Sequence, residues 1–295
     1  SFSDGLLNIL SEIETEIVSE SGNVLKTKNF PSFNNSTGGL RGGNLVGICG
    51  SYKSGKTTLG LNLILDFVKQ NIPCGFFSLE LSETEINRKL LGMLSNISYE
   101  VLREPKKLNE NEKTRLNKFY QSVKSLPLYL TDKPMSEADI RNKTKYWADR
   151  FNIKAVFIDY LGYIRSKKKF ESREREVSYY SEYLKSLAKE LNITVIVLAQ
   201  LNRSGKNRPG TENLAESIGL ARDCDFLFVT YNPLEIGIKT LGGMNFTESD
   251  FIVRLDTTRH TKNKKSFQLR LNDSGNFQEV CSEYDNSYSE SEARY

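Results

Sequence analysis

The stretch VGICGSYKSGKTTLGLNLI, Val46 to Ile64, decides the fold. Within it, Gly50-Ser51-Tyr52-Lys53-Ser54-Gly55-Lys56-Thr57 satisfies the pattern G-x-x-x-x-G-K-[ST]. An apolar, β-prone run (Leu45 to Cys49) leads in, and an amphipathic helical pattern (Leu59, Leu61, Leu63, Ile64, Phe67) leads out. A phosphate-binding loop needs that strand–loop–helix context. Its glycines let the backbone curl so that successive N–H groups face phosphate oxygens, and the following helix adds its positive end. The candidate nucleotide contacts are Gly50, Ser51, Lys53, Ser54, Gly55, Lys56, Thr57 and Thr58. Lys56 is expected to reach the β- and γ-phosphates, and the Thr57 hydroxyl to bind Mg²⁺. The stretch predicts a site for a nucleoside triphosphate.

Composition sets the frame. The chain has 295 residues, enough for one substantial core with at most a small appendage. With 38% hydrophobic and 26% charged residues it reads as soluble and globular. No apolar run approaches the ~18 residues that span a bilayer, so no membrane role is expected. The acidic N-terminus SFSDGLLNILSEIETEI lacks the basic region of a signal peptide. Cys49, Cys74, Cys224 and Cys281 are far apart, and His260 is the single histidine, so no zinc-ligand spacing can be assembled. The cysteines read as small buried residues of a reducing cytosol. A net charge of +4 is modest, but three stretches are locally basic: Arg165 to Arg175, Arg203 to Arg208 and Arg259 to Lys265. Each, taken singly, reads equally well as a solvated loop.

Along the chain, Leu6, Leu7, Ile9, Leu10, Ile13 and Ile17 fall at helical spacing between Ser3 and Val18. This helix and a turn-rich linker form segment 1–23, and the helix either folds back on its own domain or docks on a neighbouring subunit. The main domain is expected over 24–281, and the polar end, 282–295, as a disordered tail. From Gly43 onward strands alternate with helices. Strands are expected at Leu45–Cys49, Cys74–Leu79, Leu128–Leu130, Ala155–Ile158, Thr194–Leu198, Phe226–Thr230, Phe251–Asp256 and Phe267–Leu271. Helices are expected at Thr57–Gln70, Glu83–Ser95, Glu110–Ser125, Ser136–Phe151, Glu176–Leu191 and Asn213–Arg222. Continuous apolar strands such as AVFI and TVIVLA are covered on both faces. The alternation therefore predicts an α/β fold: a mostly parallel sheet flanked by helices, with a C-terminal antiparallel hairpin.

Three strand ends carry polar groups suited to phosphate chemistry. Asp159 ends Ala155-Val156-Phe157-Ile158 and is a candidate to hold Mg²⁺ with Thr57; the plainer alternative is a cap for the next segment. Glu80 follows Phe76-Phe77-Ser78-Leu79 and is a candidate to activate the attacking water. Gln200 ends Thr194 to Ala199, where an amide can hydrogen-bond the γ-phosphate. Ligands of open α/β sheets sit at such strand ends.

Together these segments resemble the DnaB family of replicative DNA helicases, specifically its RecA-like, P-loop NTPase motor domain. FFSLELSETEI looks like the family's FSLEM segment, which maps its catalytic glutamate to Glu80. AVFIDYLGYI is similar to IDYLQLM and places the Mg²⁺ aspartate at Asp159. VIVLAQLNRS is similar to ALSQLNRS and places the phosphate-sensing glutamine at Gln200. REVSYYSEYLKSLAKEL resembles the family's QEISTISRSLKALAKEL helix, and RPGTENLAESIGLARDCDFLFVTY follows its RP…RESGSIEQDAD segment, part of which binds DNA. The resemblance runs from about Phe30 to Val280.

It implies ATP with Mg²⁺, a hexameric ring with ATP at each subunit interface, and 5′→3′ travel on single-stranded DNA. It implies a primase or helicase loader as a further partner, and a bacterial, phage or plasmid replisome in the cytoplasm as the setting. The helix at Ser3–Val18 matches the linker helix that packs on the neighbour. DNA contacts carry over to Arg203, Arg208, Glu216, Ser217 and Gly219, with the basic 165–175 stretch near the pore. There are departures. The family's RESG appears as Ala215-Glu216-Ser217-Ile218, YLQ as Tyr160-Leu161-Gly162, and its K-Q-R hairpin offers Arg259 with a threonine in the lysine's place. Arg259 is the candidate finger into the adjacent subunit's ATP. The altered loop leaves a second reading open: a RecA-like ATPase that uses nucleotide as an assembly switch, as a recombination mediator or helicase-loading partner.

Overall fold

The computed structural model describes residues 24–123, 125–166, 168–201, 218–241, 244–259 and 265–285, together with Ser3, Leu6, Leu7, Ile9, Leu10, Ser11, Ile13 and Glu14. These last residues are helical (α1), and Leu6, Leu7, Ile9, Leu10 and Ile13 are all exposed. An antiparallel pair, β1 (Val24–Leu25) and β2 (Leu40–Arg41), brackets a short helix, α2 (Pro31–Thr37). The spacing there showed no period because the helix is only two turns long. It starts at a proline and buries Phe33 in a stack on Phe228 with ring centroids 4.7 Å apart.

The strand–helix alternation follows as β3 (Leu45–Gly50), α3 (Lys56–Lys69), β4 (Cys74–Ser78), α4 (Glu83–Ser95), α5 (Tyr99–Arg103), α6 (Glu110–Val123), β5 (Leu128–Thr131), α7 (Glu137–Phe151), β6 (Ala155–Asp159), α8 (Arg173–Leu191), β7 (Thr194–Gln200), α9 (Ile218–Asp223) and β8 (Phe226–Tyr231). A small ribbon of β9 (Thr240–Leu241) and β10 (Met244–Asn245) precedes β11 (Asp250–Thr258), β12 (Lys265–Leu271) and β13 (Phe277–Asp285). Local chemistry sets the ends. Ser82 and Ser136 start α4 and α7 with reciprocal capping boxes to Glu85 and Asp139. Asn96, Asn152 and Asn192 close α4, α7 and α8 in the left-handed conformation that asparagine tolerates.

The main sheet has nine strands in the order β13-β12-β11-β8-β3-β7-β6-β4-β5. From β8 to β5 the pairings are parallel; β11, β12 and β13 add antiparallel at one edge. The expected hairpin is β11–β12, extended by a third strand. That strand runs past Cys281, with Ser266 paired to Tyr284 and Lys265 to Asp285, so 282–285 belong to the sheet rather than to a tail. Alternate residues of each strand face opposite layers. Val46, Ile48, Phe157, Ile196 and Leu198 pack against α2, α3 and α4; Leu45, Cys49, Val156, Ile158, Val195 and Val197 pack against α7, α8 and α9. At Gly75 a Cβ would stand 2.7 Å from Trp147, whose ring tilts onto Phe77. Cys49, Cys74 and Cys224 are buried free thiols.

Candidate active site

Parallel strands end at one edge of the sheet, and register brings the strand-end groups together there. Gly50 at the end of β3 is paired with Gln200 at the end of β7; Ser78 at the end of β4 is paired with Asp159 at the end of β6. Glu80 lies just past β4, and its N–H, with that of Leu79, donates to the Asp159 carbonyl at 3.3 and 2.6 Å. Glu80 and Gln200 are exposed, whereas the Asp159 carboxylate is buried.

The loop from Gly50 to Thr57 is shaped from below. Ser54 is fully buried, its carbonyl accepting from the Thr230 hydroxyl at 2.8 Å. A Cβ on Gly50 would lie 2.2 Å from the Ser54 hydroxyl and 2.5 Å from the Thr230 carbonyl. Gly55 has φ of +85° and sits on the Phe251 and Phe277 rings, at 3.1 and 3.3 Å from where a Cβ would be. Lys53 also takes a positive φ, 62°, with its side chain exposed. That conformation carries a local backbone cost for a residue other than glycine. Ser51, Thr57 and Thr58 are half-buried. Lys56 Nζ donates to the Ser51 carbonyl at 2.6 Å and the Gly50 carbonyl at 2.9 Å, across the mouth of the loop. Burial lowers the Lys56 ammonium pKa, and the nearby Asp159, Cys49 and Glu80 pull it back.

Thr57 Oγ1 donates to Asp159 Oδ2 at 2.7 Å, joining the helix start to the β6 tip. Burial pushes the Asp159 carboxyl up to about 6 despite the Thr57 hydrogen bond; the Glu80 charge adds to the rise, and Lys56 and Lys89 oppose it. Among the described residues no group of three His, Cys, Asp or Glu side chains could hold a metal. A hydroxyl beside one carboxylate instead suits a hard cation that shares its coordination sphere with phosphate oxygens and water, as Mg²⁺ does.

Arg259 lies elsewhere. It follows β11, which runs antiparallel to β8, with Thr258 opposite Phe226 at the start of β8. Phe226 pairs with Val46 near the start of β3. Arg259 therefore stands at the opposite sheet edge from Lys56, a strand length or roughly 15–20 Å away. Its exposed side chain donates to the Arg222 carbonyl at the end of α9.

The other sequence candidates divide. Arg203, Arg208, Glu216 and Ser217 lie outside the described residues, as does the first half of the helix expected at Asn213–Arg222; its second half is described and lies in α9. Gly219 is buried, and a Cβ there would stand 2.1 Å from the Ser178 hydroxyl on α8. Gly219 is thus a helix-packing position. Sequence reasoning missed Thr230, Phe251 and Phe277, which support the loop from β8, β11 and β13. Thr230 near the end of the apolar run FLFVT was the one available signal.

The fold and this edge define the class: a RecA-like P-loop domain, with loop, acids and amide arrayed along the carboxyl ends of parallel strands. The match to known families is specific. The model for the DnaB-like helicase C terminal domain matches residues 25–272, and the chain belongs to that family. It is 33% identical over 208 residues to the replicative DNA helicase DnaB of Leifsonia xyli subsp. xyli, covering 68% of this chain and 45% of that protein. It is 36% identical over 183 residues to DnaB of Mycobacterium leprae, covering 60% of this chain and 30% of that protein. The chain thus spans less than half the length of these curated relatives. Among solved structures, one ATPase domain superposes with a TM-score of 0.83 at 22% identity, over 95% of this chain and 99% of that one. A DnaB-like replicative helicase, solved with its interactions with primase, superposes at 0.80 and 22% identity, over 95% of this chain and 67% of that one. At that identity the two structures speak to the fold. No described helix is long and apolar enough to cross a membrane.

Proposed function

We propose that this chain is the ATP-driven motor domain of a replicative DNA helicase, hydrolysing ATP at the interfaces of a hexameric ring and moving along single-stranded DNA. The observation that carries the reading is the division of charge between sheet edges. Lys56, Thr57, Asp159, Glu80 and Gln200 share one edge, while Arg259 stands at the other, out of reach of its own loop. A head-to-tail ring would let one subunit's far edge complete the next subunit's loop. The exposed apolar residues of α1 support assembly, since such a stripe is otherwise a liability in water.

The chemistry follows from the residues. Backbone N–H groups of Gly50 to Thr58 cradle the phosphates, and Lys56 exchanges its loop carbonyls for β- and γ-oxygens. Thr57 and Asp159 would hold Mg²⁺, which when bound neutralises phosphate charge. Glu80 takes a proton from water as the water oxygen attacks the γ-phosphorus and the bond to the β–γ bridging oxygen breaks. Gln200 hydrogen-bonds the γ-phosphate and so reads whether it is present. Arg259 of the next subunit stabilises the charge that develops. Arg203, Arg208, Glu216, Ser217 and Gly219 are the proposed DNA contacts, so binding should be sequence-tolerant and weaken with salt. A primase or loader partner and a replisome in the cytoplasm belong to the same proposal.

The test is a forked-duplex unwinding assay on rings whose assembly has first been verified by native mass spectrometry. Glu80→Gln should keep nucleotide binding and ring formation but lose turnover and unwinding. Assembled wild-type rings that hydrolyse ATP without responding to single strands and open no duplex would favour the assembly-switch ATPase instead.

A further inference from the structure

The trans role of Arg259 raises the question of what aims its side chain. The described residues around it form a fixed mount. The Arg259 N–H donates to the Asp225 carbonyl at 3.1 Å, and its guanidinium donates to the Arg222 carbonyl in the last turn of α9. That turn is itself pinned. The buried Ser181 hydroxyl on α8 donates to Asp223 Oδ2, and Arg222 Nε donates to Asp223 Oδ1 at 3.0 Å while its Nη2 reaches Glu182 at 2.6 Å. Nearby, buried Asp225 accepts from the Leu45 N–H at 2.7 Å and from Lys185 Nζ at 2.6 Å, tying the same junction to β3 and α8. The close approach of Gly219 to Ser178 seats the start of α9 on α8.

We infer that the last turn of α9, held by the Asp223–Ser181 contact, positions Arg259 for the neighbouring subunit's nucleotide, with Asp223 as a positioning residue acting through the Arg222 carbonyl. A guanidinium has five N–H donors in a rigid fork. One of them spent on a carbonyl fixes the plane of the group and leaves the rest to meet phosphate oxygens. An exposed arginine on a strand end would otherwise sample many rotamers, and a finger is effective only when its geometry is set before the reaction. The mount also connects two regions. α9 is the first described element after the stretch carrying Arg203, Arg208, Glu216 and Ser217, so a shift of that helix would be felt at Arg259.

This inference rests on Arg259 acting in trans, and a double-mutant cycle separates the two claims. Steady-state ATP turnover on assembled rings would be measured for wild type, Asp223→Ala, Asp223→Asn, Arg259→Ala and the double variant Asp223→Ala/Arg259→Ala, with thermal melting alongside. Loss of a charge-assisted anchor should lower kcat in Asp223→Ala roughly tenfold with KM for ATP unchanged, and Asp223→Asn should recover part of it. The double variant should be no slower than Arg259→Ala alone, since nothing remains to be aimed. A merely structural aspartate would slow both backgrounds by the same factor; that result, a wild-type kcat in Asp223→Ala, or a change confined to KM overturns the inference. A wild-type rate in Arg259→Ala overturns the trans reading itself. If Asp223→Ala does not fold, Ser181→Ala tests the same anchor from the α8 side with the same expected pattern.

Discussion

Asp159 meets two opposing demands, and they can be separated by pH. Its carboxyl is buried, accepts from Thr57, and is raised to about 6 chiefly by desolvation. The unfolded value is about 3.9, so the folded state binds this proton more tightly than the unfolded chain does. The stability contributed is therefore present below about pH 4 and lost as pH rises through about 6. Asp159→Asn removes a charge that costs the nucleotide-free protein stability at neutral pH, and it should raise stability there by about 1–3 kcal/mol while abolishing Mg²⁺-dependent turnover. At subsaturating Mg²⁺, wild-type turnover should fall as pH drops below about 6, because the proton and the cation compete for the same carboxylate, and saturating Mg²⁺ should move that fall to lower pH. Chemical denaturation of both proteins at about pH 8 and a pH–rate profile check the two halves; an Asn variant that is less stable and still active would contradict both. At this scale the sequence was highly legible. Glu80, Asp159 and Gln200 each end an apolar run, and strand ends are where an open parallel sheet places its ligands. Thr230, Phe251 and Phe277 were not legible, because a residue that supports a loop from beneath carries no pattern of its own.

At the scale of elements, the turn between β12 and β13 is a clamp. Asn62 on α3 donates to the Gly275 carbonyl at 3.1 Å and accepts from the Phe277 N–H at 2.9 Å. Asn276 donates to the Met93 carbonyl on α4 at 2.9 Å, and Ser274 donates to Asn96 at 2.8 Å. The terminal strands are thereby fastened to the helix that begins at Lys56 and to the helix that follows Glu80. Asn62→Ala would leave a buried N–H and a carbonyl unsatisfied and should cost about 2–3 kcal/mol, read as a lower urea midpoint with unchanged slope. A loss under about 0.5 kcal/mol would show the clamp to be incidental. Capped, periodic helices such as α4 and α7 could be read from sequence because Ser82-x-x-Glu85 and Ser136-x-x-Asp139 announce their starts. α5 is too short for a period, and β13 was hidden by its acidic end, where Glu283 and Asp285 suggest solvent more than a sheet edge.

For the whole molecule, the alternation of elements implied a parallel sheet, but strand order comes from pairing and not from any one segment. That order matters most for Arg259. Read as sequence, it was a basic residue on a hairpin; only the antiparallel pairing of β11 with β8 sends it to the edge opposite Lys56. Whether each site is built from two subunits can be tested by mixing two inactive proteins. Lys56→Ala lacks the phosphate clamp and Arg259→Ala lacks the finger, and each alone should form rings with turnover reduced about 10³-fold or more. Mixed in equal amounts and reassembled, about a quarter of interfaces would pair an intact Lys56 with an intact Arg259. ATP turnover should return in the mixture to a measurable fraction of wild type. A mixture no more active than its components, although native mass spectrometry shows mixed rings, would contradict a site built from two subunits.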